Sequence, residues 1–152
     1  QIFGGMGFSA DTPMESAWRD ARIGRIYEGT NEINRMLSVG MLLKKGMKGQ
    51  IDLMAAVMQA VADLGANESQ KNASGTILTE EQNLIHNFKQ LFLMLTGNAV
   101  QKYGSQLEDH QQVLLSLSDI LIEIYFSESA LLRTLKNCER EGAEAQKTQQ
   151  AL

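Results

Sequence analysis

A single proline interrupts the 152 residues of this chain, and it stands at position 13. Proline removes a helical hydrogen bond and clashes with the preceding turn. Everything after residue 13 is therefore free of the strongest helix breaker. The residues that fill this space are mostly Ala, Leu, Met, Gln, Glu and Lys, all good helix formers. Hydrophobic residues make up 43% of the chain, enough to bury a sizeable core, while aromatics supply only 6%. The expected fold class is all-α, with glycines marking the breaks between helices.

Pattern places the helices. Thr12 is expected to cap a short helix that begins at Pro13, carries Glu15 in its first turn and runs to about Arg22. Residues 23–30 lack helical periodicity and contain two glycines, so they read as a loop. Thr30 or Asn31 caps the next helix. Ile33, Met36, Leu37 and Met41 would form its apolar face. Lys44 and Lys45 suit its last turn, and Gly46 and Gly49 its end. A further helix is expected over 51–64, with Leu53, Val57, Ala60, Val61 and Leu64 as its stripe. Residues from about 66 to 78 are small and polar and read as a linker.

Two long helices follow. Thr79-Glu80-Glu81-Gln82 has the form of a capping box, opening a helix to about Tyr103. Its buried face would hold Leu84, Ile85, Phe88, Leu91, Phe92 and Leu95. Glu108 or Asp109 opens the last helix, which runs to about Glu141 with Leu114, Leu117, Leu121, Ile124, Tyr125 and Leu132 toward the core. The tail from Gly142 should fray. A short connection between two long helices favours an antiparallel pair. Most methionines, and Trp18, are expected to fill apolar contacts.

Charge narrows the function. Residues 1–45 hold six Lys/Arg and five Asp/Glu, whereas 46–152 hold eight and thirteen. No dense basic patch is present, which argues against nucleic acid as a partner. The acidic second part would be repelled by an anionic membrane surface. Cys138 is the single cysteine, so an intrachain disulfide and a multi-cysteine metal site are excluded. His86 and His110 show no ligand spacing, and no metal site is expected. No secretory or membrane-spanning run is seen, and the expected location is the cytoplasm, or the mitochondrial matrix in a eukaryote.

One segment has the makings of a chemical site. In Tyr27-Glu28-Gly29-Thr30 a lone carboxylate sits between an aromatic ring and a glycine-threonine turn. Such a group can be held against apolar surface yet still face a pocket, where it can act as a base toward carbon. The Gly-rich opening, with Gly4, Gly5 and Gly7, favours a turn that a ligand can approach closely.

Four motifs in fixed order carry a resemblance. They are Gln1-Ile2-Phe3-Gly4-Gly5-Met6-Gly7-Phe8, Pro13-Met14-Glu15, Arg19-Asp20-Ala21-Arg22, and Ile26-Tyr27-Glu28-Gly29-Thr30-Asn31-Glu32-Ile33. Together they resemble the end of the catalytic region of the acyl-CoA dehydrogenase family. The resemblance is strong over about the first quarter of the chain and thins after Gly40. It implies an FAD-dependent enzyme of fatty acid β-oxidation that converts an acyl-CoA to the trans-2-enoyl-CoA. It makes Glu28 the catalytic base that takes the α-proton, and its backbone N–H a donor to the thioester oxygen. Gly29 would let the acyl-CoA substrate come close. Gln1, Ile2, Phe3, Gly4 and Gly5 match one FAD-contacting segment, which in the family reaches the cofactor of a neighbouring subunit. Thr30, Asn31 and Glu32 match another, at a helix N-terminus suited to a pyrophosphate. Arg19, Asp20 and Arg22 are assigned to structure and charge pairing. Some branches carry a small residue where this chain has Glu28 and place the base on another helix.

The resemblance further implies a homodimer or homotetramer and electron-transfer flavoprotein as the electron acceptor. Residues 1–45 would be the terminal part of the catalytic C-terminal helical domain. Residues 46–152 would be a C-terminal helical extension like that of the very-long-chain branch. The chain opens inside a motif without an initiator Met, so a piece of a longer protein is expected, one that alone binds no FAD and has no activity. Two other readings compete. Residues 46–152 could serve as a helical interaction or oligomerisation module, and the enzyme could be an acyl-CoA oxidase-type relative. Thr30-Asn31 resembles the dehydrogenase form more than the oxidase form.

Overall fold

A computed structural model describes residues 2–65 and 78–141. Among these residues all regular structure is helical: α1 (Met14–Ile23), α2 (Asn31–Met47), α3 (Leu53–Gly65), α4 (Thr79–Tyr103) and α5 (Gln111–Glu141), with short 3-10 turns at Gly4–Gly7 and Gly104–Asp109. The all-α expectation holds. No described helix is long and apolar enough to cross a membrane. Gln1, residues 66–77 of the expected linker and the tail from Gly142 lie outside the described residues.

The longest helices form the centre. The Tyr103 and His110 rings meet at a tilt, with centroids 4.0 Å apart, at the connection between α4 and α5. Lys89, well back along α4, pairs with Glu128, well forward along α5. Contacts that step backward on one helix and forward on the other define an antiparallel pair. Helix α2 packs on α5, and α3 packs on α4. The core cluster is Val39 from α2, Phe92 and Ala99 from α4, Leu107 from the 3-10 turn, and Leu114, Leu117 and Ile124 from α5. Burying side chains of this kind contributes about 1.5–3 kcal/mol each. Helix α1 makes its main contacts with the Gly4–Gly7 turn instead, outside this core.

Several expected faces are rotated. On α2, Ile33, Leu37 and Met41 are exposed, while Val39 is fully buried and Met36, Leu42 and Leu43 pack beside it. On α4, Ile85 and Phe92 are buried, but Leu84, Phe88, Leu91 and Leu95 are exposed. On α5, Leu114, Leu117 and Ile124 are buried and Tyr125 and Leu132 are not. Each helix carries more apolar residues than one contact can cover, and the neighbour it meets selects the buried stripe. Val61 of α3, Trp18, and the methionines at 6, 41, 47, 54 and 58 are likewise exposed rather than packed.

The caps also differ in detail. Thr12 does not cap α1; its hydroxyl donates to the Met6 carbonyl at 2.7 Å, tying the Gly-rich turn to the helix start. Pro13 takes the cap position, and its carbonyl accepts from the Ala17 amide. Asp52 caps α3 by accepting from the Ala55 amide at 3.3 Å, so this helix begins later than expected. The helix starts one residue earlier than the expected capping box, and its N-cap makes no side-chain cap hydrogen bond. Leu78, in a left-handed conformation, precedes α4, and its carbonyl accepts from Gln82, which makes Thr79 the first helical residue. Glu108 and Asp109 belong to the 3-10 turn. The carbonyl of His110 accepts from Val113 and Leu114 and starts α5 there.

Helices α3 and α4 approach closely at Gly97. A Cβ built on Gly97 would lie 2.5 Å from Cγ1 of Val57. Gly97→Ala is expected to lower stability by about 1–3 kcal/mol through overpacking. Adding Val57→Ala should recover part of that loss, and urea unfolding of the two variants against each single change measures the coupling.

Candidate active-site bend

The segment from Gly24 to Thr30 joins α1 to α2 and is exposed throughout. Its geometry is nonetheless well defined. Glu28 has φ of 56° and Gly29 has φ of 92°. Two successive residues with positive φ reverse the chain sharply just before the helix. Glycine adopts this conformation freely, whereas a side-chain-bearing residue such as Glu28 is strained there by about 1–3 kcal/mol. Something must hold the bend, and two groups do. The Asn31 amide donates back to the Arg25 carbonyl at 3.1 Å, closing the loop. The Asn34 side-chain amide donates to the Gly29 carbonyl at 3.0 Å and to the Glu28 carbonyl at 3.5 Å.

Asn34 also explains why residue 29 is glycine. A Cβ there would fall 2.6 Å from the Asn34 Oδ1. Thr30 caps α2 as expected, with its hydroxyl accepting from the Ile33 amide at 3.4 Å. Asn31 and Glu32 occupy the first turn, so the bend delivers Glu28, Gly29, Thr30, Asn31 and Glu32 as one continuous unit at the positive end of a helix.

The other expected cofactor segment lies apart. Ile2, Phe3, Gly4 and Gly5 form or flank the first 3-10 turn, which contacts α1. Gly4 has φ of 52°, and a Cβ on Gly5 would meet nothing. Ile2 is almost wholly exposed and Phe3 is half exposed. Among the described residues nothing supplies the apolar shelter expected around Glu28. Ile26, Tyr27 and Ile33 surround it in sequence and are themselves more than half exposed. Two shallow grooves, ≈ 190 Å³ beside Tyr103 and ≈ 650 Å³ beside Arg133, are lined by α4 and α5 residues and not by the bend. On α1, Arg19 pairs with Glu15 at 3.8 Å, in keeping with a structural role.

Comparison with known proteins accounts for both halves of the chain. Models of the acyl-CoA dehydrogenase C-terminal domain match residues 1–42 and 87–151. A probable acyl-CoA dehydrogenase of Bacillus subtilis (strain 168) is 40% identical over 144 residues, which is 95% of this chain and 24% of that protein. The chain belongs to the acyl-CoA dehydrogenase family. A crystal structure of an acyl-CoA dehydrogenase complexed with FAD from Bacillus anthracis superposes with a TM-score of 0.82 at 39% identity. It covers 98% of this chain and 25% of that one. The mitochondrial short-chain specific acyl-CoA dehydrogenase of Sus scrofa is 57% identical, but over only 44 residues, 29% of this chain and 11% of that protein. The chain thus spans about a quarter of the length of its Bacillus relatives.

Sequence reasoning overlooked four polar residues around the bend and the helix that follows it. Asn34 holds the bend. Arg35, Ser118 and Asp119 link α2 to α5: Ser118 donates its hydroxyl to the Arg35 carbonyl, and the Arg35 guanidinium pairs with Asp119. Ser118 carried a legible signal. It shares a face with Leu114 and Leu121 in a leucine-rich run, where a small hydroxyl calls for a partner. Asn34→Ala should free the bend. Loss of about 1 kcal/mol of hydrogen bonding corresponds to roughly fivefold faster exchange of the Asn31 amide, read by site-resolved hydrogen exchange.

Proposed function

We propose that this chain is the C-terminal quarter of an FAD-dependent enzyme that oxidises acyl-CoA thioesters to 2-enoyl-CoA, with Glu28 as the base. The carrying observation is the paired left-handed conformation of Glu28 and Gly29 at the start of α2. A strained, non-glycine residue held by specific hydrogen bonds is the kind of feature found where geometry serves chemistry.

The bend lets one residue do two things. The Glu28 carboxylate projects from the turn to take the α-proton. Its backbone N–H, beside a glycine that clears the approach, can donate to the thioester oxygen as negative charge develops there. A carboxylate stripped of water is the stronger base toward carbon. The exposed rings and chains of Ile26, Tyr27 and Ile33 provide apolar surface that substrate and the remainder of the protein would cover. The α-proton goes to Glu28 and the β-hydrogen leaves with its electron pair, forming the double bond. FAD, when bound, supplies the two-electron acceptor.

The residues present suit that cofactor. Thr30 caps α2 and Asn31 and Glu32 open its first turn, at a helix N-terminus of the kind that favours a phosphate. Gly4 and Gly5 leave open backbone that a dinucleotide can approach, and Ile2 and Phe3 add exposed apolar surface. We further propose the homodimer or homotetramer and the electron-transfer flavoprotein partner that the family resemblance implies. The helical extension is what supports the resemblance to the very-long-chain branch. Short-chain relatives match only 44 residues, whereas the Bacillus relative matches 95% of the chain.

In the full-length enzyme, Glu28→Gln is expected to retain its bound flavin and lose about 10²–10⁴-fold in the rate of flavin reduction by acyl-CoA. Stopped-flow bleaching of the flavin measures this. Near-normal turnover would move the base elsewhere.

A further inference from the structure

The Glu28 bend is separated from α5 by more than eighty residues of chain, yet two sets of polar contacts, joined through the adjacent residues Asn34 and Arg35 of α2, lead from one to the other. Asn34 holds the Gly29 carbonyl at 3.0 Å, and its own amide donates to the Thr30 carbonyl at 2.9 Å. Arg35 is next. Its carbonyl accepts from the Ser118 hydroxyl and from the Ser38 hydroxyl, the latter at 2.7 Å, and the two serine oxygens lie 3.3 Å apart. Its guanidinium pairs with Asp119. Ser118 is fully buried.

We propose that Ser118 and Asp119 are positioning residues for the catalytic bend, acting through Arg35 and Asn34. This rests on Glu28 being the base. The extension helix would then set the rotation of the first turns of α2, and with it where the Glu28 carboxylate and N–H stand. The Arg35–Asp119 pair adds little to stability. The Arg35 and Asp119 side chains are 27% and 54% exposed, and a pair so open to solvent contributes about 0–1 kcal/mol. The Arg35 Nε is buried without a hydrogen-bond partner, so the guanidinium is not seated for maximum bonding. What the pair does fix is direction: a charged fork on α2 meets a carboxylate on α5 one residue beyond the buried serine. A misplacement of about 1 Å at a reacting group can cost about 10²-fold in rate.

The test uses the full-length, flavin-loaded enzyme. Asp119→Ala and Ser118→Ala are expected to slow flavin reduction by acyl-CoA about tenfold, part of the cost of such a misplacement. Flavin content and substrate KM should stay within about twofold, and the isotope effect of α-deuterated substrate should rise. Asp119→Glu should recover part of the rate. The control is Glu128→Gln, which breaks the similarly exposed Lys89–Glu128 pair between α4 and α5 and should leave reduction unchanged. Wild-type reduction rates in both Asp119→Ala and Ser118→Ala, with Glu28→Gln inactive, would overturn the positioning role and leave the base in place. An equal slowing in Glu128→Gln would also overturn it, because general loosening would then suffice. Full activity in Glu28→Gln would remove the base assignment and the inference with it.

Discussion

The burial of one face of α2 against α5 is the constraint on which the rest depends. Val39 contributes the apolar part of that contact and is fully enclosed, and Ser118 contributes the polar part. The contact of α2 with α3 is slight by comparison. The bend before α2 is exposed and strained, so it cannot stabilise itself. It borrows order from the helix that follows, and that helix borrows order from α5. A hydroxyl that reaches a main-chain carbonyl on the neighbouring helix also fixes register, because a shift of one residue would leave a buried donor unpaired.

This arrangement gives the two ends of the chain different physical characters. The bundle of α2, α4 and α5 has a shared core, with α3 fitted against it through the absent side chain of Gly97. The first thirty residues are held mainly by local hydrogen bonds, such as that from Thr12 to Met6. They display Ile2, Phe8, Trp18, Ile26 and Tyr27 to solvent. A run of exposed aromatic and branched side chains of this kind marks surface made for contact. In a family whose Bacillus members are about four times as long, the rest of such a protein is the natural cover.

The local geometry of the candidate site was legible because neighbours along the chain set it. Glu28, Gly29 and Thr30 are consecutive, and the cap at Thr30 and the turn at Gly29 follow from residue type alone. Asn34 was within reach of the same reasoning, as a polar side chain one turn beyond a glycine bend. Arg35, Ser118 and Asp119 were not, because their partners lie on another helix. The helices themselves were read well: α4 begins and ends where glycine and polar residues say it should. The caps were read less well, since Thr12 and Thr79 have several possible acceptors and donors within a turn. Which of them is used depends on how the chain enters the helix.

By itself the sequence determined the all-helical class, the order of the helices, the glycine breaks and the identity of the residues in the bend. Each of these follows from backbone sterics and short-range hydrogen bonding, which neighbours along the chain decide. Only the tertiary structure decided which apolar stripe of each helix is buried. Met36 was read correctly, but Ile33, Leu37 and Met41 were as apolar as Val39, Leu42 and Leu43, and periodicity cannot rank two such faces. The ranking comes from what stands opposite: α5 presents Leu114, Leu117 and a buried serine to one side of α2, and that side alone leaves the water.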